Sequence, residues 1–298
     1  MERLPVSHCF SWTAVSEKAW DSVFAEFRDN GAERLILVSS VASRLAEEPE
    51  LKKRLRSLLD RHGMRFDGSH APWGKAWDLN ETDPDARKIM LCNQKRLIGE
   101  VGEFGVGNVV IHIGDSVCRR SDAPPVPVLR DLAVAALEEL LPAAEKAGVV
   151  IAIENIIAPT DTVEELLAVF GRIDSPYLGC CYDSGHENVM TPAPGKRPEM
   201  LCDYIRDTLW HGAPRLQERI LERLLPYIVC CHLHDNDGLN DAHALPGDGT
   251  VDWARTVSLL RRSPRLASVQ NEMNCIGHGI SIRRMVETYE RLWKGEGI

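Results

Sequence analysis

The residues of this chain that could do chemistry are His70, His112, Glu154, Asp183, His186, His232, His234, Asp241, His243 and Glu272. Each is a type that binds divalent cations or moves protons. Glu154, Asp183 and Glu272 offer three hard oxygen ligands, and His232 adds one imidazole. Such a set, with a position left open, suits one divalent ion: Mn, Mg, Co or Zn. The carboxylate majority leans towards Mn or Mg. A structural zinc site would instead be closed and rich in thiolates. A carboxylate that touches a metal with one oxygen can take a proton with the other, so Glu154 and Glu272 are candidates for proton transfer as well as ligation. Taken singly, a strand histidine is most often a packed or surface residue. That reading holds best for His8 and His234, the latter either a substrate contact or a polar end to its strand. Glu154 resists it, because a buried carboxylate after Val149-Val150-Ile151-Ala152-Ile153 needs a cation or several donors.

The elements that must position these residues are legible in the same letters. Eight short apolar or β-branched runs recur: Leu4–His8, Arg34–Val38, Arg65–Ser69, Asn108–Ile113, Val149–Glu154, Leu178–Asp183, Tyr227–His234 and Ala267–Glu272. Helix-like stretches follow them near 16–30, 49–62, 84–104, 127–147, 162–171, 198–225, 251–262 and 279–294. In 127–147, Leu129, Leu132, Ala133, Ala136, Leu137, Leu140 and Leu141 share one face at the helical period. Asp252 is placed to start the helix at 251–262. Eight βα units without a low-complexity linker predict a closed (β/α)8 barrel, one domain over residues 1–298. An open doubly wound sheet is the alternative, weakened because the glycines at 99, 102, 105 and 107 precede a strand instead of following one. The chain exceeds the ~250 residues typical of a barrel, and Thr191–Leu216, after strand six, is the expected insertion. In a barrel of this kind the C-terminal strand ends meet on one face, so residues spread over the chain would converge in one pocket.

Composition narrows the partners. Apolar residues make up 44% and the formal charge is −9, which argues against a nucleic-acid binder needing a basic face. The N-terminus lacks a basic region followed by an apolar stretch, and no window is long and apolar enough to span a membrane, so the expectation is a cytoplasmic protein without membrane attachment. The nine cysteines are an odd count without framework spacing. The adjacent pairs Cys180-Cys181 and Cys230-Cys231 read as reduced, buried small hydrophobes. The sequon at Asn80 then has no role.

Four motifs are specific: Ile153-Glu154-Asn155, Tyr182-Asp183-Ser184-Gly185-His186, the run from His232 to Gly238, and the run from Pro246 to Trp253. In order and spacing they resemble the xylose isomerase-like barrel superfamily, over strands three to eight. That group includes sugar and sugar-phosphate isomerases and epimerases, and the endonuclease IV type of AP endonuclease. The resemblance implies a metal held by Glu154, Asp183, His232 and Glu272, with His186 contacting substrate. It also implies that Glu154 and Glu272 act as an acid/base pair on opposite faces of a sugar, sugar phosphate or polyol-like compound, through a metal-stabilised enediolate. His70, His112, His243 and Trp73 are then substrate-binding candidates.

The endonuclease branch implies a rival reading: a phosphodiesterase with up to three Zn, in which His70, His112, His186, Asp241 and His243 are additional metal ligands. The net charge of −9 and the lack of a basic, aromatic docking loop weigh against it. A metal-dependent lyase or hydrolase on the same barrel is a third reading, since one fold hosts many chemistries. Trp73 and Trp77 either stack on a sugar or pack their loop. Arg119, Arg120 or Arg197 could hold a phosphate, a weaker expectation. The expected partner is a small carbohydrate-like molecule, and a homo-oligomer is compatible with all of this.

Overall fold

The computed structural model describes residues 4–297. Met1, Glu2 and Arg3, on which the expectation of no leader rests, lie outside the described residues, as does Ile298. Eight parallel strands, β1 (Val6–His8), β2 (Arg34–Leu37), β3 (Arg65–His70), β4 (Asn108–Ile111), β5 (Val150–Glu154), β6 (Leu178–Asp183), β7 (Ile228–Leu233) and β8 (Ser268–Asn271), close in sequence order into one barrel. β1 pairs with both β2 and β8, which excludes the open sheet. Around it run α1 (Trp20–Asp29), α2 (Ser39–Ala42), α3 (Pro49–His62), α4 (Pro84–Gly102), α5 (Val126–Ala147), α6 (Val163–Phe170), α7 (Ser184–Met190), α8 (Ile220–Leu224), α9 (Trp253–Leu260) and α10 (Ile282–Lys294). Among the described residues no helix is long and apolar enough to cross a membrane.

Strands buried on both faces need apolar residues at successive positions, not alternating ones. The cysteine pairs show the consequence. Cys180 and Cys231 face the outer core beneath the helices, while Cys181 and Cys230 face inward with Val110, Ala152 and Val229. All nine cysteines are free. Asn80 is fully buried, so the folded chain offers its sequon to nothing. The helices close the outer layer by the periodicity read from sequence. α10 buries Ile282, Met285, Val286, Tyr289, Leu292 and Trp293 along one stripe. In α5, Leu129, Ala133, Ala136, Leu137 and Leu140 are buried, with Leu132 and Leu141 at its margins. Helix ends are fixed locally: the Asp83 carboxylate accepts from Ala86 N at 2.8 Å before α4, Gly148 closes α5 in the left-handed region, and Asp252 accepts from Arg255 N at 3.0 Å to start α9.

The barrel floor is polar and cross-linked by hydrogen bonds. Ser7 and Ser268 donate to Asp67 at 2.9 and 2.7 Å, Arg34 pairs with Asp67 at 2.8 Å, and Gln270 donates to Asn108 at 2.9 Å. Gly68 makes room for this, since a Cβ there would lie 2.5 Å from Gln270 Nε2.

Two expectations need correction. The stretch 198–225 is not one helix: it forms a 3-10 turn at Pro198–Met200, a π-helical turn at Tyr204–Leu209, irregular chain, and then α8. His211 and Arg219 adopt left-handed backbone, at φ 50 and 56, and helical bonding cannot run through them. α2 and α7 were not expected. The insertion does lie after β6, and it is pinned over the C-terminal face. Trp210 Nε1 donates to the Ile157 carbonyl at 2.8 Å, the His211 ring to the Cys118 carbonyl at 2.9 Å, and Cys202 N to the Leu239 carbonyl at 3.3 Å.

Candidate active site

β5 delivers Glu154, β6 Asp183 and β7 His232, while Glu272 directly follows β8. The four expected ligands converge: one ligand atom of each lies within 4.8 Å of the others. His232 Nδ1 is 2.7 Å from Glu154 Oε1, 3.1 Å from Glu272 Oε2 and 4.0 Å from Asp183 Oδ2. Glu154 and Asp183 are sealed, whereas 21% of the Glu272 side chain is exposed. Burial alone would push Glu154 up, but His232, His112 and His70 outweigh it and hold the carboxyl well below the usual range. Burial likewise opposes ionisation of Glu272, and His232 beside it brings its carboxyl below the ordinary value. Burial works against a charged His232 too, yet Glu272 and Glu154 together lift that imidazole well above normal.

Local sequence fixes these positions. Asn155 locks the ends of β5 and β6 together, accepting from Asp183 N at 2.8 Å and donating to the Asp183 carbonyl at 3.1 Å. Asp183 Oδ1 accepts from His186 N at 2.7 Å, so the same carboxylate caps α7. Gly185 lets α7 approach β7: a Cβ there would lie 2.0 Å from the His234 ring. His234 in turn sets Nε2 3.0 Å from Asp183 Oδ2.

Two further groups surround the tetrad. His70, His112 and Glu154 form one, with His112 Nε2 3.1 Å and His70 Nε2 3.5 Å from Glu154 Oε2. His186, His234, Asp241 and His243 form the other, with Asp241 Oδ2 3.3 Å from His186 Nε2 and 3.1 Å from His243 Nε2. The ring orientations fit cations. His70 Nδ1 donates to the Ala71 carbonyl at 2.7 Å, so its other ring nitrogen, Nε2, faces Glu154. His243 Nδ1 donates to the Glu272 carbonyl at 2.8 Å, which leaves its Nε2 facing Asp241, and against burial that carboxylate lifts the imidazole to about 10, so a proton sits between them. A lone pair facing a carboxylate repels unless a proton or metal lies between them. Asp241 Oδ1 and His186 Nδ1 are also buried without a hydrogen-bond partner. The donor set therefore suits a divalent ion held by Glu154, Asp183, His232 and Glu272, and offers ligands for more.

A cavity of about 220 Å³ opens above the tetrad, and an adjoining one of about 280 Å³ shares His70, Trp73 and Glu272 with it. Trp73 is exposed and stacks on His112 with ring centroids 5.9 Å apart, whereas Trp77 packs against the core. Trp77 thus follows the packing reading, while Trp73 stays open to the cavity. Arg119 lines the cavity above the tetrad but is bound to Asp115 and lies over the Tyr204 ring at 5.4 Å. Arg120 pairs with Asp122 at 2.9 Å and Arg197 is exposed. His8 is removed from the chemistry: burial lowers it to about 3, and Asn271 Nδ2 meets its Nδ1 at 2.9 Å.

Sequence reasoning missed Asp115, Ile156, Ile157, Tyr204 and Leu209 as cavity-lining residues. The first three follow strand ends, a signal that was readable. Tyr204 and Leu209 lie in the insertion, where no pattern marks them. Cys181 was read as packing alone, yet its sulfur lies within 4.8 Å of ligand atoms of Glu154 and His232.

A family model described as a xylose isomerase-like TIM barrel matches residues 15–273. Among curated relatives, the uncharacterised protein y4fM of Sinorhizobium fredii is 27% identical over 161 residues, 53% of this chain and 44% of the relative, so the match spans less than half of that protein. Among solved structures, a D-tagatose 3-epimerase-like protein superposes with a TM-score of 0.70 at 21% identity, covering 97% of this chain and 99% of that one. The 3-keto-D-glucoside 4-epimerase YcjR of E. coli gives a TM-score of 0.70 at 13% identity over 98% and 100% of the chains. The IOLI protein with a bound zinc atom gives 0.66 at 17% identity over 96% of each. At these identities the likeness speaks to the fold.

Proposed function

The chain belongs to the xylose isomerase-like TIM barrel family, and from that premise we propose that it is a divalent-metal-dependent isomerase or epimerase acting on a carbohydrate-like substrate. The observation that carries this is the tetrad itself, in which Glu154 and Glu272 both meet His232 Nδ1, at 2.7 and 3.1 Å, and both line the cavity above it. A divalent ion held by Glu154, Asp183, His232 and Glu272 supplies a positive charge that lowers the cost of negative charge on substrate oxygens beside a carbonyl. The chain does the rest. Glu272, partly open to the cavity, and Glu154, sealed beneath it, form the acid/base pair: one carboxylate takes the proton from the carbon next to the carbonyl and the other returns one. His70, His112, His186 and His243 line the same cavity and are placed to orient substrate hydroxyls. Structural neighbours named as sugar epimerases, and one that holds a zinc atom, agree with this reading.

Incubation in D2O with a panel of ketoses tests it: deuterium is expected at the carbon next to the carbonyl, read by NMR. Glu154→Gln and Glu272→Gln are each expected to lower that exchange by about 100-fold or more, as losing an acid/base group does, with an unchanged circular dichroism spectrum. Metal-loaded protein that exchanges no ketose proton would sink the proposal.

The two outer ligand groups favour a second reading, a multi-zinc phosphodiesterase. Against it, Arg119 is the single Lys or Arg among the described residues lining the 220 Å³ cavity above the tetrad, and Asp115 already neutralises it. The formal charge of −9 also opposes a phosphate backbone. Metal analysis separates the two: one ion per chain for the isomerase, three zincs for the phosphodiesterase. A lyase or hydrolase would share the proton abstraction and differ in releasing a second product.

A further inference from the structure

The insertion between α7 and α8 contributes directly to the cavity, through Tyr204 and Leu209. It is held there by the Trp210, His211 and Cys202 hydrogen bonds to the loops after β5, β4 and β7, so these two side chains belong to a fixed wall. Ile156 and Ile157, from the loop after β5, line the same cavity. Tyr204 is 43% exposed and Trp73 55% exposed, two of the large apolar side chains that the described surface leaves open to solvent. Both line the cavity that contains the ligands. Exposed aromatic faces gathered at one mouth mark a surface built to be covered.

The polar complement of this wall is as informative. Among the described residues Arg119 is the one Lys or Arg of the cavity lining, and it is held by Asp115 while its guanidinium lies over Tyr204. A phosphate entering here would have to displace a carboxylate from its partner and would meet apolar side chains around it. A neutral ring would meet flat aromatic and aliphatic surfaces and bury them.

We propose that Tyr204, Leu209, Ile156, Ile157 and Trp73 form a subsite for a second, uncharged ring, so that the substrate is a carbohydrate bearing a glycosyl or aryl substituent instead of a free monosaccharide or a sugar phosphate. This rests on the carbohydrate reading of the tetrad and adds what lies beyond the reacting carbon. Arg119 acts as a positioning residue, holding the Tyr204 ring by its cation–π contact while Asp115 holds Arg119.

Four ligands that share one ketose separate the possibilities: D-fructose, D-fructose 6-phosphate, isomaltulose, which carries a glucosyl ring on O6, and 6-O-benzyl-D-fructose. Binding to the manganese-loaded full chain is measured by isothermal titration calorimetry. At least one of the two ring-bearing ligands is expected to bind tenfold or more tighter than D-fructose, isomaltulose if the subsite takes a sugar and the benzyl ether if it takes an aryl group. The phosphate ester is expected to bind no tighter than D-fructose. Y204A and L209A should each cut the ring-to-fructose affinity ratio to below threefold, while Y204F, which keeps the ring face, should preserve it. Ring-bearing ligands that bind no better than D-fructose, or a phosphate ester that binds best, would overturn the subsite while leaving deuterium exchange on D-fructose, and so the tetrad's role, intact. Failure of all four ligands to bind would overturn the subsite together with the carbohydrate reading. If Y204A does not fold, the wild-type ratios and the L209A and Y204F ratios still decide.

Discussion

Glu154 and Glu272 share a side-chain type and a histidine partner but not an environment, since Glu154 is sealed and Glu272 faces the cavity. That difference follows from a single position: Glu154 is the last residue of β5, while Glu272 lies one residue past β8. The residue types that carry the chemistry were legible because buried carboxylates and histidines are costly without a purpose. Tyr204 was not legible, because an exposed tyrosine in a loop looks like any other until the fold shows what it faces. Asp78 is a second buried carboxylate, outside the tetrad. Burial raises it to about 6, against three backbone N–H donors, from Val117, Asn80 and Ser116, that pull the other way. A raised acid favours the folded state while it keeps its proton. That contribution is complete below the ordinary carboxylate value and is lost as pH rises through about 6. The stability of wild type relative to Asp78→Asn should therefore fall by up to about 3 kcal/mol between pH 4 and 7 in urea denaturation. A difference that stays constant over that range would show that Asp78 carries no such shift.

At the scale of elements, the contact between α7 and β7 shapes the site. Gly185 is required there because the His234 ring occupies the space of a Cβ. Gly185→Ala should cost about 1–3 kcal/mol of stability by overpacking. It should also weaken manganese binding about tenfold or more, as loss of an outer partner to a ligand does, because the displaced His234 releases Asp183. Thermal melts and a metal titration check both, and a variant with wild-type metal affinity would separate the packing from the site. The strands were readable to within a residue or two, since apolar runs of four to six residues have few other uses in a βα repeat. Their ends were not. β4, β7 and β8 stop before His112, His234 and Glu272, whereas β3, β5 and β6 run through His70, Glu154 and Asp183, and the residue types do not tell the two cases apart. The stretch 198–225 misled for a related reason: it carries apolar residues at helical spacing, but left-handed backbone at His211 and Arg219 breaks it into pieces.

For the whole molecule, closure of the barrel was legible from eight repeats and an absent linker, and it brings side chains from the ends of β3 to β8 onto one face. Concentrating that many carboxylates at one place opposes folding unless a cation joins them. Manganese should therefore raise the melting temperature and chelation should lower it, by about 2.7 kcal/mol in stability at 100 times Kd. The gain should shrink as pH falls, since Glu272 and Glu154 keep the His232 proton well above the ordinary imidazole range and the ion must displace it. A melting temperature indifferent to manganese at neutral pH would contradict this. The inward cysteines add one consequence. Burial holds the Cys181 thiol well above its ordinary range, with Cys230 beside it acting in the same direction, so a hard ion leaves it protonated and idle. Cadmium or mercury has enough affinity for sulfur to strip that proton, and Glu154 and His232 are already within reach to complete its shell. The packing that fills the centre of the barrel would thereby open the site to capture by thiophilic metals.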